Sequence, residues 1–139
     1  MQFNPYITFN GNCREAFEFY AKTFGGKIQA MMSFRDSPVA EHAPPGAEDQ
    51  IMHACLIVGD QVLMASDNCG QPYDKPQGLH VAVEVDTPEE AERIFQALSE
   101  NGNIVMPLGE TFWAKRFGML SDRFGTPWFI NCPCELPQA

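Results

Sequence analysis

Along the chain, short bursts of alternating or β-branched residues are broken twice by stretches with helical spacing. Tyr6-Ile7-Thr8-Phe9 is the first burst, β-branched and aromatic and therefore strand-like. Asn12 follows as a candidate N-cap, with Glu15 three residues later, where a carboxylate reaches back to the cap. Phe17, Tyr20, Ala21 and Phe24 then define one apolar helix face. Gly25-Gly26 ends that helix, because glycine takes the left-handed cap conformation without steric cost. Three more strand-like runs come next: Ile28 to Phe34, Ile51 to Val58, and Val62 to Ala65 after a turn at Gly59-Asp60. Between the first two lies Ser37 to Asp49, rich in Pro, Ala and acidic residues, which reads as a mobile loop over a pocket or on the surface.

The second half repeats this grammar. Leu79 to Val83 is strand-like, and Thr87-Pro88-Glu89-Glu90 is a helix start with Thr87 as cap, Pro88 at the first helical position and Glu90 completing a capping box. Ala91, Ile94, Phe95 and Leu98 supply the buried face, and Gly102 is expected to end the helix. Further runs cover Asn103 to Met106, Thr111 to Leu120 and Trp128 to Asn131, with Asp122, Arg123 and Gly125 shaping the turn before the last. Glu15-Ala16 matches Glu90-Ala91, 75 residues later, and the same offset sets Pro5 opposite His80. Each half thus reads strand, helix, three strands. The fold class expected is α+β: two βαβββ modules in one domain, module one at about 1–68, a connector at about 69–77 and module two at about 78–139. A single such sheet cannot cover its own apolar face. The expected solution is curled mixed sheets around a cup, with the helices on the outer face.

Composition supports a folded protein: 139 residues, 45% hydrophobic and 19% charged, are enough for a real core. No apolar run reaches the length of a membrane-spanning helix. Met1-Gln2-Phe3-Asn4-Pro5 lacks the basic and apolar regions of a secretory signal, so a cytoplasmic protein is expected. A net charge of −9 repels nucleic acid and acidic membranes, which bind through Lys and Arg. Five cysteines, an odd number, read as reduced thiols. Cys132-Pro133-Cys134 lacks the spacer and the second pair of a zinc site and reads as buried or idle. Cys13, at a helix N-terminus, is placed to gain thiolate character from the helix dipole, with no partner His in evidence.

Tyr6 to Phe17, reading YITFNGNCREAF, is similar to the opening of the PhnB-like branch of the glyoxalase/bleomycin-resistance (vicinal oxygen chelate) superfamily. So are Glu110 to Gly118, reading ETFWAKRFG, and Asp122-Arg123-Phe124-Gly125 with Trp128. The resemblance covers almost the whole chain. It implies the paired βαβββ fold and, usually, a homodimer. The wider superfamily binds a divalent metal through one ligand from the first strand and one from the last strand of each module, normally His or Glu. Carried over residue by residue, those places fall at Pro5 beside Tyr6, Met64, His80 and Phe129. Of Pro5, Met64 and Phe129, none offers a normal donor, and a lone imidazole does not hold a catalytic metal. No metal ligands and no cofactor are therefore expected. What the resemblance implies instead is a cup lined by Met64, Phe112, Trp113, Trp128 and Phe129, suited to a flat or apolar small molecule. Glu110 and Lys115 flank Trp113 as a polar rim, and His80 is the candidate acid, base or hydrogen-bond donor. His53 reads as a structural sheet histidine and His42 as a solvated loop residue. The function expected is small-molecule binding or metal-independent catalysis. The alternatives are a metal-dependent lyase, isomerase or dioxygenase, and a non-catalytic sequestering or structural module.

Overall fold

The computed structural model describes residues 1–134, so residues 135–139 of the second module lie outside the described residues. The chain divides into two compact units, Met1–Asp74 and Lys75–Ala139. The first holds β1 (Tyr6–Phe9), α1 (Cys13–Phe24), β2 (Lys27–Ser33), β3 (Ile51–Val58) and β4 (Gln61–Asp67). The second holds β5 (Val81–Glu84), α2 (Pro88–Ser99), β6 (Asn103–Gly109), β7 (Ala114–Ser121) and β8 (Pro127–Pro133). Their four-stranded sheets have the orders β1-β4-β3-β2 and β5-β8-β7-β6. In each, the first strand runs parallel to the last and the other pairs are antiparallel. The fold is α+β with two βαβββ modules. Within its own unit, α1 packs on β2, β3 and β4, and α2 on β6, β7 and β8.

The two helices are each 12 residues long and begin 75 positions apart, at Cys13 and Pro88. Their starts are held differently. Thr87 Oγ1 accepts from the Glu90 N–H at 3.2 Å, with Pro88 in the first turn, as local spacing predicts. Asn12 makes no side-chain cap bond. Instead the Cys13 N–H donates to Asp67 Oδ1 at 2.9 Å, from a residue 54 positions away at the end of β4. A buried carboxylate accepting from an orphan helix N–H does the work of a cap and also favours the helix dipole. At the other end of α2, Asn101 takes the left-handed conformation at φ 57, not Gly102. Gly102 is needed for closeness: a Cβ there would lie 2.5 Å from the Ser121 carbonyl oxygen.

The strands do not follow the 75-residue offset. The core residues Ile7 and Phe9 alternate with exposed Tyr6 and Thr8, whereas in β5 the exposed residues are Ala82 and Glu84 and the next strand-end residue, Val85, is buried. Phe9 stands four residues before its helix start and Val85 three before its own, so the second connection is one residue shorter. Side chains on a strand alternate with period two, so an odd shift reverses the face. Pro5 and His80 are therefore not equivalent positions. His80 shares the phase of Ala82, which matches the phase of Tyr6.

Gly118 on β7 lets α2 approach: an added Cβ would sit 2.7 Å from Phe95 Cε2 and 3.0 Å from Leu108 Cα. Gly118→Ala is expected to lower the stability by about 2 kcal/mol through overpacking. A urea-unfolding midpoint equal to that of the parent would refute this. The segment Ser37 to Asp49 carries backbone hydrogen bonds of its own. It contains a 3₁₀ turn at Ala40–His42, a buried Ala47, and an Arg35 to Asp49 ion pair at 2.8 Å bridging its ends.

Candidate functional site

The second sheet has one face under α2 and an opposite face on which, among the described residues, no helix of its own unit packs. On β8, Trp128, Ile130 and Cys132 are buried, and Phe129 and Asn131 alternate with them half-buried. Gly118 and Leu120 of β7 belong to the helix side, since Gly118 abuts Phe95 of α2. Phe117 and Met119 therefore share the helix-free face with Phe129. The register extends that face into two rows: Ala82, Phe129, Met119 and Met106, then Glu84, Asn131 and Phe117.

Aromatic rings run across this face in unbroken contact. The His80 imidazole stacks on Phe129, with centroids 4.0 Å apart and planes at 20°. Phe129 meets Phe117 at 5.6 Å, Phe117 meets Trp113 at 5.4 Å, and Trp113 meets Phe112 at 4.8 Å. The edge-to-face and tilted contacts hold the rings at fixed angles, and the His80 stack covers one face of Phe129. Trp113 is set by a tight turn in which the Thr111 N–H donates to the Ala114 carbonyl and the Ala114 N–H donates to Thr111 Oγ1, both at 3.0 Å. Phe112 is 89% exposed and Trp113 39%. Glu110 and Lys115, either side of this turn, are exposed.

The residues named from sequence separate. His80, Trp113 and Phe129 come together, joined by Phe112. Phe117, between Trp113 and Phe129, was not singled out by sequence reasoning, nor were Met119 and Asn131. The signal for them is the odd-numbered phase shared by 117, 119, 129 and 131. Trp128 leaves the group: it is 1% exposed, and its indole Nε1 donates to Asp122 Oδ2 at 2.8 Å. Adjacent strand residues point to opposite faces, so Trp128 and Phe129 cannot both line one surface. Met64 lies in the first unit, in register with Tyr6 and Cys55. There Tyr6 stacks on His53 at 6.1 Å, and Cys55 Sγ donates to Gln29 Oε1 at 3.4 Å.

Cys13 departs from the nucleophile expectation. It is completely buried, and its pKa is pushed up to about 12, first by burial, then by the negative charge of Asp67 and by Cys69. Desolvation outweighs the helix dipole, and the thiol stays protonated.

The model of the Glyoxalase/Bleomycin resistance protein/Dioxygenase superfamily matches residues 2–130. The chain belongs to this superfamily. Its similarity to Protein YjdN of Escherichia coli (strain K12) is 34% identity, covering 99% of each chain. The crystal structure of protein PA1353 from Pseudomonas aeruginosa is 51% identical, with a TM-score of 0.89, over 96% of this chain and 98% of that one. A Bacillus cereus structure described as "Putative 3-demethylubiquinone-9 3-methyltransferase, PhnB protein" is 26% identical, with a TM-score of 0.80, over 95% and 99% of the two chains. These place the superfamily member in the PhnB-like branch.

The metal positions implied for the superfamily meet a poor donor set in this member. On the helix-free faces, the first and last strands present Tyr6 and Met64 in one sheet, and Ala82 and Phe129 in the other, with His80 just before β5. Among the described residues, no group of three or more His, Cys, Asp or Glu is placed to hold a metal ion. In neither sheet do these side chains make up a donor set for a hard or borderline divalent cation.

Proposed function

We propose that this superfamily member binds a flat, largely apolar small molecule against the helix-free face of the second sheet, and either retains it or acts on it without a metal. The observation that carries this reading is the continuous run of rings from His80 through Phe129, Phe117 and Trp113 to Phe112. Aromatic walls with few polar groups are the usual lining of small-ligand sites. His80 is the group on that wall whose ring nitrogens can donate or accept a hydrogen bond. The working form in this reading is a cytoplasmic homodimer. The methyltransferase wording attached to the Bacillus cereus protein is not carried over. A parallel doubly wound sheet with a glycine-rich first turn, the usual cradle of a nucleotide-type cofactor, differs from two mixed βαβββ sheets.

The test is a titration with neutral 9-anthracenemethanol, followed through tryptophan fluorescence. Trp113 reports from the aromatic run, while Trp128 is enclosed. Phe129→Ala is expected to weaken binding about tenfold, the loss of a fraction of one buried aromatic side chain. His80→Ala should weaken it less. Full affinity in Phe129→Ala, or near-stoichiometric metal by elemental analysis of the purified protein, would overturn the reading.

A further inference from the structure

The aromatic run passes two polar residues, Asn131 and Glu84, in the row of Phe117, and both offer acceptors. Asn131 is half-buried between Glu84 and Phe117 in the register of the sheet. Its Oδ1 is screened from water and has no hydrogen-bond partner. A screened acceptor without a donor is unfavourable, so a site that contains one gains when a donor arrives. Beside it stands the exposed carboxylate of Glu84, which when ionised also only accepts. Phe117 stands next to Asn131 in the register, and the quadrupole of such a ring attracts cations. Arg116, one residue before Phe117, is engaged elsewhere: it points to the helix side, with Nε 3.1 Å from Glu92 Oε1. Lys115 and Glu110 both stand at the Trp113 end, one of each sign. The excess of acceptors therefore lies at the Asn131 end, within a chain of net charge −9.

We propose that this face selects flat organic cations that carry an N–H donor, with Asn131 and Glu84 reading the donor and the charge. The rings take the planar body, the amide oxygen takes the N–H, and the Glu84 carboxylate balances the charge. The proposal rests on the reading of this face as a binding surface, and the test separates the two.

Three tricyclic probes of similar shape decide it: proflavine, a cation with amino donors; 9-anthracenecarboxylate, an anion; and neutral 9-anthracenemethanol. Proflavine should bind about tenfold more tightly than the carboxylate. Asn131→Leu and Glu84→Gln should each weaken proflavine several-fold and leave the neutral probe unchanged. Asn131→Leu should melt no lower than the parent, because it removes an unpartnered acceptor. If it melts lower, Asn131 is structural and Glu84→Gln alone decides the charge argument. Equal affinity for cation and anion with the neutral probe bound, or proflavine binding unaffected in Glu84→Gln, overturns the selectivity while the binding face stands. Failure of all three probes to bind overturns both.

Discussion

Asp122→Ala is expected to lose about 4 kcal/mol of stability. The carboxylate is buried and accepts three buried N–H bonds. Oδ1 accepts from the Phe124 N–H at 2.9 Å and the Thr126 N–H at 3.0 Å, while Oδ2 accepts from Trp128 Nε1 at 2.8 Å. Thr126 and Trp128 are each 1% exposed. Truncation leaves buried donors unpaired, each costing about 1–3 kcal/mol, and the bonds to a charged acceptor are the stronger kind. Asp122→Asn retains one acceptor oxygen and should lose about half as much. Urea unfolding measures both through the midpoint, provided the slope stays constant. A loss under about 1 kcal/mol for Asp122→Ala would show that the turn and the indole find other partners.

Asp67→Ala is expected to lose about 3 kcal/mol in the first unit. Oδ1 holds the Cys13 N–H at the head of α1, and Oδ2 accepts from the Ile51 N–H at 2.8 Å, where β3 begins. One side chain at the end of β4 thus fixes the start of a helix and the start of a neighbouring strand. The same substitution removes one of the causes that raise the Cys13 pKa, though not burial, the first. Folded Cys13 stays protonated while the unfolded thiol ionises, so it costs the protein stability as pH climbs from about 9 toward about 12. Asp67→Asn should shrink that alkaline loss as well as weakening the cap. Unfolding curves at neutral and alkaline pH would show it, and an unchanged alkaline slope would rule the coupling out.

Local signals were legible in the sequence and remote ones were not. Thr87, Pro88 and Glu90 lie within one turn of each other, and α2 starts where they place it, with Ala91, Ile94, Phe95 and Leu98 buried as expected. Ile51–Val58 is the strand read from its own residues. The cap of α1 was assigned to Asn12 because the true acceptor is 54 positions away, beyond any local pattern. Asp122 reads as a turn residue and is one. Its hold on Trp128 needs the strand register, which spacing alone does not give. The site suffered from the same limit. Trp128 and Phe129 are adjacent and both aromatic, so hydrophobicity gives no phase to choose between them. Only burial, with Ile130 and Cys132 enclosed and Asn131 half-buried, separates the two faces.

The one-residue difference between the two strand-to-helix connections has a practical consequence for protein engineering. A designer copying a first-strand metal ligand from one half to the other at the helix spacing would move it from Tyr6 to Val81, in the phase of buried Val85. The donors would have to be transplanted one position further along the first strand of the second half, so that the pair beginning at Tyr6 is rebuilt at Ala82. The two halves keep the same strand faces inward with links that differ by one residue, so the link, and not the strand, absorbs such a change.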